Sequence, residues 1–258
     1  MGVNTVTSRD GTSIVFDRLG TGPPVIIVGG VMSGRSEQAP LADLLAERFT
    51  AFNYDRRGHG ETVSDRPCTI EREAEDLEAL VREAGDSAFV YAASGCAILA
   101  LELAGRVPMR RLAVWEPPYV VDQSRPPVPA DLRAQLIRLE SAGRRGDMVE
   151  LFLTQAVGVP SDFVRPMRET TWWSAQEAMA HTLIDDLAWL GDYSLPTRRL
   201  TSVAIPVLVA DGGTTPWLSA AADAVTATLP RADRRTLAGQ PHNVAPEAIV
   251  PVLMEFFR

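Results

Sequence analysis

The sequence contains no lysine: all 25 basic residues among its 258 residues are arginine. Without a lysine amine, the chain cannot form a Schiff base, build a serine–lysine dyad or hold a nucleotide phosphate with a P-loop lysine. Enzyme classes that need such a lysine are therefore excluded. Because a genome rich in G and C favours arginine codons, we interpret the bias as a mark of origin and not of function.

Cysteine and histidine are also scarce. The two cysteines are Cys68 and Cys96, and the three histidines are His59, His181 and His242. None of them falls into the C-x-x-C or H-E-x-x-H spacing of a metal site, so we expect neither a bound metal nor a cofactor. Two isolated cysteines and a polar start without a signal-peptide pattern indicate free thiols in a reducing, cytoplasmic compartment.

Long hydrophobic runs and basic stretches are missing as well. The longest apolar runs are strand-sized, like Val25–Val28 and Val203–Ala210, and are far shorter than the ~20 residues that cross a bilayer. The net charge of −8 makes nucleic acids and anionic membranes poor partners. With 46% hydrophobic and 22% charged residues, the chain has the composition of a folded globular protein. We therefore expect a small-molecule substrate as partner and leave a homodimer open.

What the sequence does contain is an alternation of strand and helix patterns. An opening hairpin is predicted from Thr5–Ser8 and Ser13–Arg18, which flank Asp10-Gly11. Strands are then predicted at Val25–Val28, Phe49–Tyr54, Ala88–Ala92 and Arg111–Trp115, with helices between them at Leu41–Arg48, Ile70–Ala84 and Cys96–Arg106. This alternation predicts an α/β fold with parallel strands and right-handed helical crossovers.

The alternation is interrupted once. Prolines are frequent after Glu116, and residues 130–190 show helical patterns without a convincing strand. Strands and helices resume at Val203–Ala210, Ala220–Leu229, Asp233–Leu237 and Pro246–Phe257. We therefore predict a core of residues 1–118 and 196–258. Residues 119–195 are predicted to form a helical cap over the carboxyl edge of the sheet, where ligands bind in such folds.

A serine occupies the junction between a predicted strand and a predicted helix. Ser94 lies within Ala92-Ala93-Ser94-Gly95-Cys96, and a serine on such a sharp turn projects its hydroxyl above the sheet. The residues two before and two after it must be small, as Ala92 and Cys96 are, although the usual pattern has glycine at both positions. Ser94 is thus a candidate nucleophile, and the alternative is that it only caps the following helix.

Two further segments could complete a site around this serine. Gly29-Gly30-Val31 ends the first buried strand. The backbone N–H groups of Val31 and Gly95 would point at a developing oxyanion, with Gly29 and Gly30 allowing close approach of the backbone and Gly30 a candidate substrate contact. Alternatively, the glycines only form a tight turn. His242 lies in a polar loop before the last helix, which is the chain position of the general base in this layout.

These segments, together with Tyr54–Thr62, resemble the α/β-hydrolase superfamily. Tyr54–Thr62 reads Tyr-Asp-Arg-Arg-Gly-His-Gly-Glu-Thr, a pattern that is specific in this context, and the match extends from about Thr5 to Phe257. The resemblance implies an eight-stranded, mostly parallel sheet flanked by helices, with a helical cap insertion. It also implies a catalytic set of a serine, an acid and a histidine.

The acid of this set is not where the resemblance implies it. Its usual position follows the strand Val203–Ala210; counted from Pro206 along the common pattern, it falls on Thr215, which carries no charge. Two carboxylates could replace it: Glu116, which follows the strand Arg111–Trp115, and Asp211, four residues before Thr215. Glu116 is flanked by apolar residues, so it needs a buried partner or an unusual pKa; alternatively, it is only a solvated carboxylate at a strand end. We favour Glu116 as the orienting acid and keep Asp211 as the alternative.

The resulting hypothesis is a serine hydrolase that cleaves a small-molecule ester, thioester or lactone through a Ser94 acyl-enzyme, with His242 as general base. Trp172 and Trp173 could contact the substrate, although aromatic residues near helical spacing more often pack in a core. Two alternatives stay open: a cofactor-free enzyme of secondary metabolism (a lyase, a cyclase or a haloperoxidase-like enzyme) and a non-catalytic ligand-binding protein. The threonine at the usual acid position favours the first, and the intact Ser94–His242 pair disfavours the second.

Overall fold

One β-sheet organises the chain. The computed structural model describes residues 3–65 and 67–258, and within these ranges eight strands form the sheet. They are β1 (Asn4–Thr7), β2 (Ser13–Leu19), β3 (Pro24–Val28), β4 (Thr50–Tyr54), β5 (Ala88–Ala93), β6 (Met109–Trp115), β7 (Val207–Gly213) and β8 (Ala232–Gln240). Met1, Gly2 and Arg66, which fall within the predicted core segment 1–118, lie outside the described residues.

The strand order across the sheet is β1-β2-β4-β3-β5-β6-β7-β8. β1 and β2 form the predicted antiparallel hairpin, and β2 is also antiparallel to β4. From β4 to β8 every neighbouring pair is parallel. Parallel neighbours cannot be joined by a tight turn, so helical connections link them. The predicted eight-stranded, mostly parallel sheet flanked by helices is confirmed.

The helices follow the strands in the predicted alternation. They are α1 (Arg35–Leu45), α2 (Ile70–Glu83), α3 (Gly95–Leu103), α4 (Leu132–Ser141), α5 (Arg145–Phe152), α6 (Ser161–Met167), α7 (Thr171–Met179), α8 (Leu183–Leu190), α9 (Thr197–Leu200), α10 (Pro216–Thr228) and α11 (Pro246–Phe256). α4 to α9 all lie between β6 and β7, while the division into core and cap at residues 118/119 and 195/196 stays a prediction. Within the described part of the chain, none of the helices has the length and apolar character needed to cross a membrane.

The sheet separates two apolar clusters, one on each face. In β3, Ile26 and Val28 belong to the first cluster and Val25 and Ile27 to the second, and each is at most 2% exposed. A strand buried on both faces needs an unbroken apolar run, which is the pattern that predicted it. α2, α3 and α10 contribute buried residues to the first cluster, and α1 and α11 to the second.

Three predicted starts are wrong by at least four residues: those of α1, of β7 and of α10, which begins at Pro216 and not at Ala220. α1 begins at Arg35 and not at Leu41, because the Arg35 N–H donates to the carboxylate of Asp55 at 2.7 Å, a partner from the end of another strand. Such a cap leaves no trace in the helical periodicity of α1 itself. β7 begins at Val207 and not at Val203, because the proline just before Val207 has no N–H to donate to the sheet.

A buried ion network ties the segment after β4 to α2 and α8. Arg56 Nη2 lies 2.6 Å from both Glu73 Oε1 and Asp186 Oδ1, and all three side chains are at most 1% exposed. Arg57 makes a bidentate pair with Asp76, with distances of 2.8 and 2.6 Å. Removing an ion from water costs several kcal/mol, so a buried guanidinium requires such partners. The two arginines therefore have a structural role.

Arg56→Met is expected to lower the free energy of unfolding by about 3–5 kcal/mol, because Glu73 and Asp186 would stay buried without their counter-charge. Urea denaturation measures the change. The control Arg235→Met loses ion pairs with Asp233 and Glu255. These side chains are 46% (Arg235), 51% (Asp233) and 61% (Glu255) exposed, so a change below about 1 kcal/mol is expected. Equal losses in both variants would contradict the proposed importance of burial.

Candidate active site

Ser94 lies on the sharp turn between β5 and α3. Its backbone has φ 56° and ψ −134°, a conformation that residues with a side chain rarely adopt. The Ser94 N–H donates to the Trp115 carbonyl at 2.9 Å, which attaches the turn to the end of the neighbouring strand. The Ser94 side chain makes no capping hydrogen bond to α3. The alternative that Ser94 only caps this helix is therefore not supported.

Small residues surround the turn. Ala92 and Cys96 have no exposed surface, in line with the size limit where a strand and a helix approach each other closely. Burial raises the pKa of the Cys96 thiol to about 12. Since the thiolate and not the thiol is the nucleophile, Cys96 packs as a small apolar group and leaves Ser94 as the nucleophilic candidate of the turn.

His242 reaches Ser94 from the loop between β8 and α11. Ser94 Oγ donates to His242 Nε2 at 3.0 Å, and the other ring nitrogen, Nδ1, donates to Glu116 Oε2 at 2.6 Å. The His242 side chain is 35% exposed, whereas the Glu116 side chain is 1% exposed. Hydroxyl, imidazole and carboxylate thus form one hydrogen-bonded chain. In such a chain the imidazole can take the hydroxyl proton while the carboxylate holds the ring in the required tautomer.

Glu116 is a buried carboxylate with a partner for each oxygen. It follows β6 directly with φ 45°, and its own N–H donates to the Ala210 carbonyl at 2.9 Å. Oε1 accepts from the Gly212 N–H at 3.0 Å, while Oε2 faces His242. A Cβ at position 212 would lie 1.8 Å from the Gln240 carbonyl oxygen, so only glycine fits there. These partners meet the requirement that a buried charge be hydrogen-bonded.

Trp115 supports the site, and the sequence analysis missed it. Its Nε1 donates to the His242 carbonyl at 2.8 Å, and its side chain has no exposed surface. The indole therefore anchors the loop that carries the imidazole to the strand that precedes Glu116. A signal was present: a tryptophan beside the candidate acid has an N–H that requires an acceptor once it is buried.

Asp211, the alternative acid, contacts other residues. Its carboxylate accepts from Arg234 and Thr236 at 2.7 Å each, and also from Ser219. Burial is the largest single influence and raises the pKa of Asp211, but the bonds from these three side chains outweigh it and keep the pKa below its usual value. Asp211 is thus engaged in an ion pair that holds β7, β8 and α10 together. The structure brings Glu116, and not Asp211, to the imidazole.

The loop after β3 meets the start of α3 beside the serine. A Cβ placed on Gly95 would lie 2.7 Å from Val31 Cγ2, and one placed on Gly30 would lie 3.9 Å from Ser94 Cβ. The loop after β3 and the start of α3 therefore lie side by side, as is required if Val31 and Gly95 are to donate to a single oxygen. Their role as oxyanion donors, and the role of Gly30 beside the substrate, stay predictions.

Gly95→Ala is expected to lower kcat for ester hydrolysis by about 10- to 100-fold. The new Cβ would collide with Val31 Cγ2 and move one predicted donor away from the other, and loss of a single donor is commonly worth 10²–10³-fold in rate. Steady-state kinetics on a p-nitrophenyl ester measures the effect. The control is Gly105→Ala, where a Cβ meets nothing within 4 Å. Unchanged kcat in Gly95→Ala would contradict the assignment of these donors.

The two tryptophans of the predicted cap differ in their surroundings. Trp173 is 2% exposed, and its Nε1 donates to Glu177 at 3.1 Å. This contact favours a packing role for Trp173 within the helical segment. Trp172 is 37% exposed, and its Nε1 donates to the side chain of Gln176. A substrate contact by either tryptophan stays a prediction.

One group of side chains in the described residues has the chemistry of metal ligands. Cys68, Glu73 and Asp186 are buried, with ligand atoms within 4.8 Å of one another. Arg56 donates to both carboxylates at 2.6 Å and supplies the positive charge that a metal ion would bring. The group therefore fits an ion network. His59 is buried nearby, and burial first and the charge of Arg56 second lower its pKa.

The chain is similar to known proteins in both sequence and fold. The sequence model described as the alpha/beta hydrolase family matches residues 25–252. The crystal structure of an alpha/beta hydrolase from Sphaerobacter thermophilus is 50% identical, covering 99% of this chain and 100% of that one with a TM-score of 0.95. Two more distant structures share the fold. A thermophilic esterase from Thermogutta terrifontis is 19% identical, covering 100% of this chain and 98% of that one with a TM-score of 0.76. An N-formylmaleamic acid deformylase from Pseudomonas putida is 20% identical, covering 98% of this chain and 100% of that one with a TM-score of 0.67.

Proposed function

Because the chain belongs to the alpha/beta hydrolase family, we propose that it is a serine hydrolase of small-molecule esters, thioesters or lactones. The observation that carries the proposal is the hydrogen-bonded chain from Ser94 Oγ to His242 Nε2 (3.0 Å) and from His242 Nδ1 to Glu116 Oε2 (2.6 Å). The relative that is 50% identical is itself described as an alpha/beta hydrolase, which supports the hydrolase class. We further propose a cytoplasmic location for the enzyme.

In the first half of the reaction, Ser94 Oγ attacks the carbonyl carbon of the substrate and its proton moves to His242 Nε2. The carbonyl oxygen becomes an oxyanion, which accepts hydrogen bonds from the Val31 and Gly95 N–H groups. The tetrahedral species then collapses to an acyl-enzyme. The bond to the leaving alcohol, thiol or lactone oxygen breaks, and His242 gives that group its proton.

In the second half, a water molecule repeats the attack on the acyl carbon. His242 Nε2 takes a proton from the water and then returns it to Ser94 Oγ as the carboxylic acid leaves. Glu116 acts through the imidazole: its carboxylate keeps the proton of the neutral ring on Nδ1 and stabilises the imidazolium when it forms. A carboxylate that is buried and has a second bond from the Gly212 N–H is held in place for this task.

The non-hydrolytic and ligand-binding alternatives have less support than this proposal. The main reason for a lyase, a cyclase or a haloperoxidase-like enzyme was the threonine at position 215 in place of an acid. Glu116, which follows β6, supplies a carboxylate to His242, so the threonine at position 215 no longer argues for a non-hydrolytic enzyme. A receptor would have no need of a strained serine hydrogen-bonded to an imidazole.

A fluorophosphonate probe tests whether the serine is activated. We expect covalent labelling at Ser94, located by mass spectrometry of the digested protein, and no labelling of the Ser94→Ala variant. Hydrolysis of p-nitrophenyl esters then separates a hydrolase from a lyase or a cyclase. Absence of labelling in the folded wild-type protein would contradict the proposal and favour the ligand-binding alternative.

A further inference from the structure

The loop after β3 contains a strained residue. A turn over Gly30–Ser33 is closed by the Ser33 N–H, which donates to the Gly30 carbonyl at 3.1 Å. Within this turn Met32 has φ 58°, in the left-handed region that residues with a Cβ rarely adopt, and its side chain is 6% exposed. Such a conformation persists only where surrounding contacts impose it. The residue directly after Val31 therefore needs support from outside the turn.

That support comes from α7. With the Gln176 amide oriented so that both of its atoms are satisfied, Nε2 donates to the Met32 carbonyl at 2.8 Å. Its Oε1 accepts from Trp172 Nε1 at 3.2 Å. The Gln176 side chain is 2% exposed, so water does not compete for these bonds. A buried amide with hydrogen-bond partners on both sides has one favoured orientation, and its bond to the Met32 carbonyl holds that peptide group in place.

The supported carbonyl is one residue away from a predicted oxyanion donor. If the Met32 carbonyl lost its donor, a buried acceptor would be left unsatisfied, and the turn would relax to reach another partner or water. The Val31 N–H would move with the turn. A displacement of about 1 Å is enough to lower an enzymatic rate by 10²-fold, because the alignment of donors and reacting atoms is strict.

We propose that Gln176 is a positioning residue for the oxyanion site, an inference that rests on the proposed serine hydrolase function. It links the helical segment between β6 and β7 to the turn that presents the Val31 N–H. The negative charge that this N–H meets develops only in the transition state. Loss of the Gln176–Met32 bond therefore lowers kcat and leaves KM nearly unchanged.

Two variants of Gln176 test the inference on p-nitrophenyl acetate. Gln176→Met removes the donor while nearly keeping the side-chain volume, and we expect kcat to fall by about 10- to 100-fold with KM within about threefold. Gln176→Glu keeps an acceptor for Trp172 but presents a carboxylate to the Met32 carbonyl. Protonation of that carboxylate restores a donor, so its kcat relative to that of wild type is expected to rise as the pH falls.

The control is Glu177→Ala, which removes a hydrogen bond of the same helix, to Trp173, that does not reach the loop after β3. The inference is overturned if both folded Gln176 variants keep the wild-type kcat, or if kcat falls equally in Glu177→Ala. In either case, labelling of Ser94 in the wild-type protein would still support the proposed function. If Gln176→Met fails to fold, Gln176→Glu carries the test. Wild-type protein that neither labels at Ser94 nor hydrolyses esters overturns the proposed function and this inference together.

Discussion

Ser94→Ala is expected to lower kcat/KM for p-nitrophenyl esters by on the order of 10⁴-fold or more, because the substitution removes the nucleophile of the proposed acyl-enzyme. Ser94 Oγ is the atom that donates to His242 Nε2 at 3.0 Å. Alanine leaves the carbonyl carbon without a nucleophile, while the oxyanion donors and the imidazole stay in place. The residual rate would come from water attacking in the same site.

The same substitution is expected to leave the thermal midpoint nearly unchanged. It removes one partly buried hydrogen bond, worth about 1 kcal/mol, and keeps the Cβ of the side chain. Ser219→Ala is the matched control, since Ser219 contacts Asp211 and not the imidazole. We expect the control to keep wild-type turnover. Near wild-type turnover in the folded Ser94→Ala variant would contradict the nucleophile assignment, and a large fall in Ser219→Ala would weaken it.

Glu116→Gln is expected to lower kcat by about 10³–10⁴-fold, the scale seen when a triad carboxylate becomes an amide. The amide nitrogen would donate to His242 Nδ1, so the ring proton would move to Nε2. The Nε2 atom could then no longer accept the proton of Ser94. The amide oxygen can still accept from the Gly212 N–H, so the fold is expected to survive the exchange. Rapid-quench or steady-state ester kinetics, together with circular dichroism, separates the two effects.

Asp211→Asn is the matched comparison for the acid. This carboxylate accepts from Arg234, Ser219 and Thr236, so its loss is expected to lower stability and to leave kcat of the folded enzyme within a few-fold of wild type. If Asp211→Asn lowers kcat by orders of magnitude and Glu116→Gln does not, the roles of the two carboxylates are reversed. Losses of equal size in both would mean that neither one alone orients the imidazole.

Much of the fold could be predicted because its signals are local. A strand buried on both faces requires a continuous apolar run, and β3 and β5 have one. An amphipathic helix shows its buried stripe directly, as Leu77, Leu80 and Val81 do in α2. The start of α1 could not be predicted in this way, since its first N–H is satisfied by Asp55 from the end of β4.

The site could be predicted only in part. Ser94 and His242 were found because each has a chain position with a known geometry, at a strand–helix turn and before the last helix. The acid stayed ambiguous because Glu116 directly follows β6 and Asp211 lies near the end of β7, and these two strands are parallel neighbours whose ends lie at the same sheet edge. The contribution of Gln176 was not predicted, because an amide on an amphipathic helix gives no sign of which loop it will contact.

Hydrophobic periodicity and the absence of lysine can be read from the chain alone, and they were enough to predict the layered α/β architecture and the residue types available for chemistry. Which carboxylate meets the imidazole became visible only in the folded protein. In the register of β5 and β6, Ala93 pairs with Trp115, so Ser94 and Glu116 follow directly at neighbouring strand ends. Asp211 lies at a register shift between β7 and β8, and its carboxylate is bound by Arg234 of β8 and Ser219 of α10. The contacts that join residues 94, 116 and 242 span more than a hundred positions, and such contacts exist only once the sheet has formed.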